Sequence, residues 1–142
     1  MKTAETELRR GVAVAVSEFS SAFGDEAVSA IPDSNGGAYV TVQGVGLGDP
    51  YVQQSTWVGF YLSDACPEAD TYPFYVRGDL SRRDGMQMKA PIHRDRCWPE
   101  NVPGMESSPA VMVSRRQNHG PSCKRESPLV KMKLVIKWML EQ

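Results

Sequence analysis

The sequence predicts an α+β fold, on three observations. Apolar residues recur at helical spacing only near the two ends, β-rich runs bounded by turn residues fill the middle, and no internal repeat runs through the chain. At 142 residues, 41% hydrophobic and 23% charged, it reads as one domain over 1–142 with a single core. A formal net charge of −1 offers no global field to recruit nucleic acid or an anionic membrane. No stretch approaches the roughly 20 apolar residues of a membrane span. MKTAETELRR is not followed by the apolar core of a secretory signal. Cys66, Cys97 and Cys123 therefore read as free thiols of a reducing cytoplasm.

The first element is a helix over about 4–23, because Leu8, Val12, Val16, Phe19 and Phe23 fall on one face. Glu5 and Glu7 suit its positive N-terminal end, and Gly24 is placed to stop it. Strands are expected at 27–31 and 38–45, joined by a turn in which Asn35-Gly36 signals two positive φ angles. The glycines of 44–50 mark a loose exit; without a GK[ST] ending they make no phosphate loop. TWVGFYL (56–62) is the third strand and suits the sheet centre. FYVRGDL (74–80) is the fourth, with Pro73 at its start because proline has no amide hydrogen to give a ladder. Residues 81–109 show little periodicity and read as a loop of 29 residues, long enough to imply a function. Ala110–Ser114 is a short strand and 115–126 a second loop. Ser127-Pro128 then opens a helix with Leu129, Met132, Ile136 and Met139 on its apolar face, and Lys131, Lys133 and Lys137 expected in solvent.

The segments TWVGFYL, PEADTYPFYVR, IHRD, AVMVSRRQN and SPLVKMKLVIKWML, in that order, resemble the ubiquitin-conjugating enzyme (E2/UBC) fold across nearly the whole chain. Tyr72-Pro73 matches the Tyr-Pro pair after the third strand of that family. Pro91-Ile92-His93 partly matches its His-Pro-Asn motif, and Ser127-Pro128 its Ser-Pro helix start. PEADTYP and SRRQN look like a divergent bacterial E2-like group of ubiquitin-like conjugation operons. The resemblance implies an N-terminal helix, a four-stranded antiparallel meander, an irregular active-site segment with a short strand, and a C-terminal helix. It implies acyl transfer of a ubiquitin-like protein's C-terminus in a bacterial conjugation pathway of antiphage defence, with an E1-like adenylating enzyme as second partner. No cofactor or metal is implied.

Where the family keeps its cysteine, at the end of the short strand, this chain has Ser114. A serine hydroxyl is a weaker nucleophile than a thiol and needs a base within about 2.6–3.2 Å. His93 and His119, the two histidines, lie in flanking segments that can supply one. Arg115 and Arg116 suit a carboxylate or developing oxyanion, and Asn118 can donate to that oxyanion. Cys97, four residues after His93, is the rival nucleophile, since a nearby base lowers a thiol's pKa.

Three alternatives stay open. The same fold without the cysteine suits a non-catalytic module that binds the ubiquitin-like protein or its E1. His93-x3-Cys97 and His119-x3-Cys123 repeat one spacing and would make a tetrahedral zinc set if the loops converged. An unrelated small α+β domain is the third.

Overall fold

The computed structural model describes residues 8–66, 68–89, 91–100, 102–115 and 127–142. The elements are α1 (Arg10–Phe23), a 3-10 turn (Asp25–Ala27), β1 (Val28–Pro32), β2 (Ala38–Gly46), β3 (Ser55–Leu62), β4 (Phe74–Arg77), β5 (Ile92–Trp98), β6 (Ser108–Val113) and α2 (Pro128–Leu140). The fold is α+β, with six antiparallel strands in the order β1-β2-β3-β4-β6-β5. The first four form a meander, and the β5–β6 hairpin extends it beyond β4. No helix among the described residues is long and apolar enough to cross a membrane.

Helix α1 starts later than the expected residue 4. Arg9 is extended (φ −60°, ψ 152°), and its amide donates to Gly36 O at 2.9 Å, which ties the helix start to the β1–β2 turn. Glu5 and Glu7 lie outside the described residues. Gly24, at φ 95°, ends the helix as expected, in a conformation that favours glycine. The β1–β2 turn also departs from expectation, because positive φ falls on Ser34 and Gly36, not on the Asn35-Gly36 pair. Asp33 causes this: its Oδ1 accepts from the amides of Asn35 (2.7 Å) and Gly37 (3.0 Å), shaping the loop around a side-chain cap.

Both helices cover one face of the sheet. Val12, Ala15 and Phe19 of α1, and Met132, Val135, Ile136 and Met139 of α2, join Val40, Val42, Val58, Phe60, Val76, Val111 and Val113 in one buried cluster. Phe60 sits between Phe19 and Phe74, with ring centroids 4.9 and 5.3 Å away. The opposite face carries a smaller cluster of strand residues alone: Tyr75, Trp98 and Ala110, with Tyr39, Trp57 and Met112 against them. Here the end of the β5–β6 hairpin folds over the sheet, and the Trp98 indole N–H donates to Thr41 Oγ1 at 3.0 Å. Gly59 makes room for it, since a Cβ there would lie 2.4 Å from Trp98 Nε1. Gly59→Ala is expected to push the indole off Thr41 and cost about 1–3 kcal/mol in urea unfolding, with a shift in tryptophan emission.

Three further expectations are corrected. Residues 81–109 are not a continuous loop, because Ile92–Trp98 forms edge strand β5. β4 stops at Arg77 where residue 80 was expected; Gly78 beyond it packs on Pro109, to which an added Cβ would approach within 2.7 Å. Helix α2 begins as expected, with Ser127 Oγ accepting from Val130 N at 3.2 Å and Pro128 in the first turn. Lys133 and Lys137 are exposed. Lys131 is not: it is 4% exposed, and its ammonium donates to Asp70 Oδ1 at 2.7 Å and Thr71 O at 3.1 Å. Its stem lies among apolar residues because these acceptors, just before the Tyr-Pro turn, meet its charge. At the far end, Tyr51 OH donates to Met139 O at 3.0 Å, a second donor beside the Gln142 amide at 3.3 Å, which ties the last turn of α2 to the segment after β2.

Candidate functional site

The candidate site lies where β6 ends against the start of β5. Phe74–Arg77 pairs with β6 after the cis Tyr72-Pro73 bond, which puts β6 between β4 and β5. The ladder runs one rung past Val113, with Ser114 N–H donating to Pro91 O at 2.9 Å. Side chains alternate along a strand, so Ser114 shares the helix-free face with Met112, while Val113 faces the core. Met112 pairs with His93, which makes His93 the diagonal neighbour of Ser114 on that face.

The two side chains meet. His93 Nε2 lies 3.1 Å from Ser114 Oγ, and the hydroxyl also has Pro91 O within 3.4 Å. Both residues are half-buried. A nucleophile of this kind requires that spacing, since an unprotonated ring nitrogen can take the hydroxyl proton as Oγ attacks. Among the described residues, Ser114 is the one side-chain hydrogen-bond partner of His93, so the arrangement is a dyad without an orienting carboxylate.

A bulge sets which residues of β5 join this face. His93 pairs with Met112 and Arg96 with Ala110, so β5 carries one residue more than β6 between those rungs. Asp95 takes up the extra residue at φ 63°, in the left-handed region that side chains other than glycine seldom adopt. The shift of parity puts Arg96 and Trp98 on the same face as His93. Cys97 pairs with Pro109 and projects to the other side. His93 and Cys97, four apart in sequence, are thus not brought together.

The charged neighbours of the dyad are held by their own contacts. The Arg115 guanidinium stacks over the Trp138 ring, 4.7 Å from its centroid, which fastens the segment after Ser114 to α2. Arg96 makes two hydrogen bonds to Glu100, at 3.1 and 2.8 Å, and Tyr75 OH donates to Glu100 at 2.6 Å. Burial, then the Glu100 contact, raises the Tyr75 pKa and keeps the phenol neutral. Arg94 donates to Leu80 O at 3.1 Å. Arg116, Asn118, His119 and Cys123 lie outside the described residues. Among the described residues no three His, Cys, Asp or Glu side chains gather as metal ligands. Burial pushes the Cys66 thiol up to about 11, with Glu68 and Glu18 adding to it, which leaves Cys66 without thiolate character at neutral pH.

Sequence reasoning missed the Pro91 carbonyl and Trp138 as parts of this site. Nothing in a sequence marks a backbone acceptor, and nothing in the spacing of the C-terminal helix singles out Trp138. No family model, no curated protein and no solved structure matches this chain.

Proposed function

We propose that this chain is an E2-like acyl carrier that takes the C-terminal carboxyl group of a ubiquitin-like protein onto Ser114 as an oxyester. The observation that carries the reading is the 3.1 Å approach of His93 Nε2 to Ser114 Oγ at the end of β6, the third strand after the Tyr-Pro turn in chain order. Oγ attacks the activated carbonyl, His93 takes the hydroxyl proton, and the activating enzyme's thiolate or nucleotide leaves. In the second half an amine attacks the ester, the protonated His93 returns its proton to Oγ as the carbon–oxygen bond breaks, and the new amide nitrogen gives up its extra proton to solvent, leaving His93 neutral. Arg115 is the charged residue next to Ser114 in the chain; its guanidinium rests on Trp138, and released from that ring it would bring positive charge to the tetrahedral oxyanion.

The experiment is intact mass of the chain after incubation with an adenylating enzyme, its ubiquitin-like protein and ATP, with portions treated by thiol and by mild base. An oxyester carrier gives an adduct that survives thiol, is lost to base and does not form with Ser114→Ala. An adduct released by thiol moves the nucleophile to a cysteine, with Cys97 the half-exposed one among the described residues. The second reading, a non-catalytic module that binds the ubiquitin-like protein or its E1, is favoured by the Pro91 carbonyl, which can hold the Ser114 hydroxyl without any chemistry. It gives a stable complex on a sizing column, no adduct, and binding unchanged by Ser114→Ala.

A further inference from the structure

Charge is divided unevenly along the chain. Residues 11–76 hold eight Asp and Glu and no Lys, Arg or His, a formal charge of −8 within a chain of net −1. β1, β2 and β3 belong to this span but carry no charged residue themselves; the acidic groups nearest the β1 edge are Asp25 and Glu26 before it and Asp33 after it, whereas the β5 edge carries His93, Arg94, Asp95 and Arg96. Arg83 and Lys131 neutralise Asp49 and Asp70, but Asp25 and Glu26, just before β1, form no ion pair among the described residues.

The two edges are also guarded differently. β5 has a bulge and exposed Arg94 and Asp95, devices that keep other strands away. β1 pairs with β2 in unbroken register from Val28 to Pro32, has no charged residue, and leaves Ile31 45% exposed. Among the described residues β1 is the terminal strand of the sheet, so its remaining amide and carbonyl groups have no strand partner there and offer a template for strand addition up to Pro32. Beside it, on the helix-free face, a cleft of about 250 Å³ opens between Ile31, Tyr39 and Trp57 below and Trp98, Met105 and Glu106 above. Glu106 is the one charged residue lining it and has no ion-pair partner among the described residues.

We infer that the β1 edge and this cleft form a docking site for an extended, lysine- or arginine-bearing segment of a partner protein, added as a seventh strand. Such a strand lies about 4.8 Å beyond β1, with alternate side chains on the helix-free face. The stem of a basic residue there crosses Ile31 and the Tyr39 ring and carries its cation toward Glu106, gaining apolar cover, cation–π attraction and an acidic partner. β6 lies four strand spacings from β1, about 19 Å. Docking therefore leaves Ser114 accessible, and the inference stands independently of the acyl-carrier reading.

The test is an NMR titration with two blocked peptides, acetyl-TVKVT-amide and acetyl-TVEVT-amide. The lysine peptide is expected to shift the Ile31 amide and the Tyr39 region saturably and to bind about tenfold more tightly than the glutamate peptide. Glu106→Lys is expected to reverse the preference, and Ile31→Arg, an exposed position that leaves the core intact, to abolish binding. Equal affinity for the two peptides, shifts confined to other strands, or Ile31→Arg protein that binds normally would overturn the inference. So would a dimer of the free protein, seen in sedimentation and dissolved by Ile31→Arg, which assigns the edge to a second copy of the chain.

Discussion

Lys131→Met is expected to destabilise the protein by about 3–5 kcal/mol, the cost of leaving one member of a buried ion pair without the other. Lys131 and Asp70 side chains are 4% and 11% exposed, so water can replace little of the lost contact. The ammonium also serves Thr71 O, so its loss strips α2 of two attachments to the segment before the Tyr-Pro turn. Methionine keeps the apolar stem, which confines the change to the charge. Since domains of this size have about 5–15 kcal/mol of stability in total, the loss is a large fraction. Urea unfolding should show a lower midpoint with an unchanged slope, and Asp70→Asn in the Lys131→Met background should recover part of it. A change below about 1 kcal/mol would mean that the pair is solvated like a surface salt bridge. Because α2 also carries Trp138, loosening it is expected to free Arg115 beside the candidate nucleophile.

His93→Gln is expected to slow oxyester formation by about 10²–10⁴-fold, the usual range for a positioned general base. Glutamine can still hydrogen-bond the hydroxyl but cannot take its proton. His93 is only half-buried, so the fold should survive, with a stability change within about 1 kcal/mol. A second substitution separates chemistry from structure: Ser114→Cys puts a thiol with an ordinary pKa of about 8.5 at the same place. In the His93→Gln background it should restore adduct formation, now released by thiol. Failure of that rescue would mean that the imidazole holds the site's shape and does not act as its base.

The parts of the fold that local chemistry specifies were legible in the sequence. Gly24 stopping α1, Pro73 preceding β4, and Ser127-Pro128 opening α2 are each a backbone requirement met by a particular residue. Strand β5 was not legible. The bulge at Asp95 breaks the two-residue alternation, and Arg94, Asp95 and Arg96 hide what remains. The β1–β2 turn was misread because Asp33 caps two amides and moves the positive φ angles off Asn35. Lys131 was placed in solvent because its partner is 61 residues away in sequence, beyond any local pattern. At the site, sequence offered Ser114 with His93 or His119 beside it. The choice of His93 depends on the register of β5 against β6, a non-local property. The same register separates His93 from Cys97, which the four-residue spacing had joined.

The most direct measurement is fragmentation of the trypsin product spanning Cys97–Arg115, taken from protein carrying a base-labile adduct. That one peptide holds Cys97, Ser107, Ser108 and Ser114, so every competing acceptor in the segment is read in a single spectrum. The expected result is the modifier's C-terminal remnant on Ser114 alone, and its disappearance in His93→Gln protein. A remnant on Cys97, Ser107 or Ser108, with Ser114 unmodified, would contradict the assignment of Ser114 as the acyl acceptor.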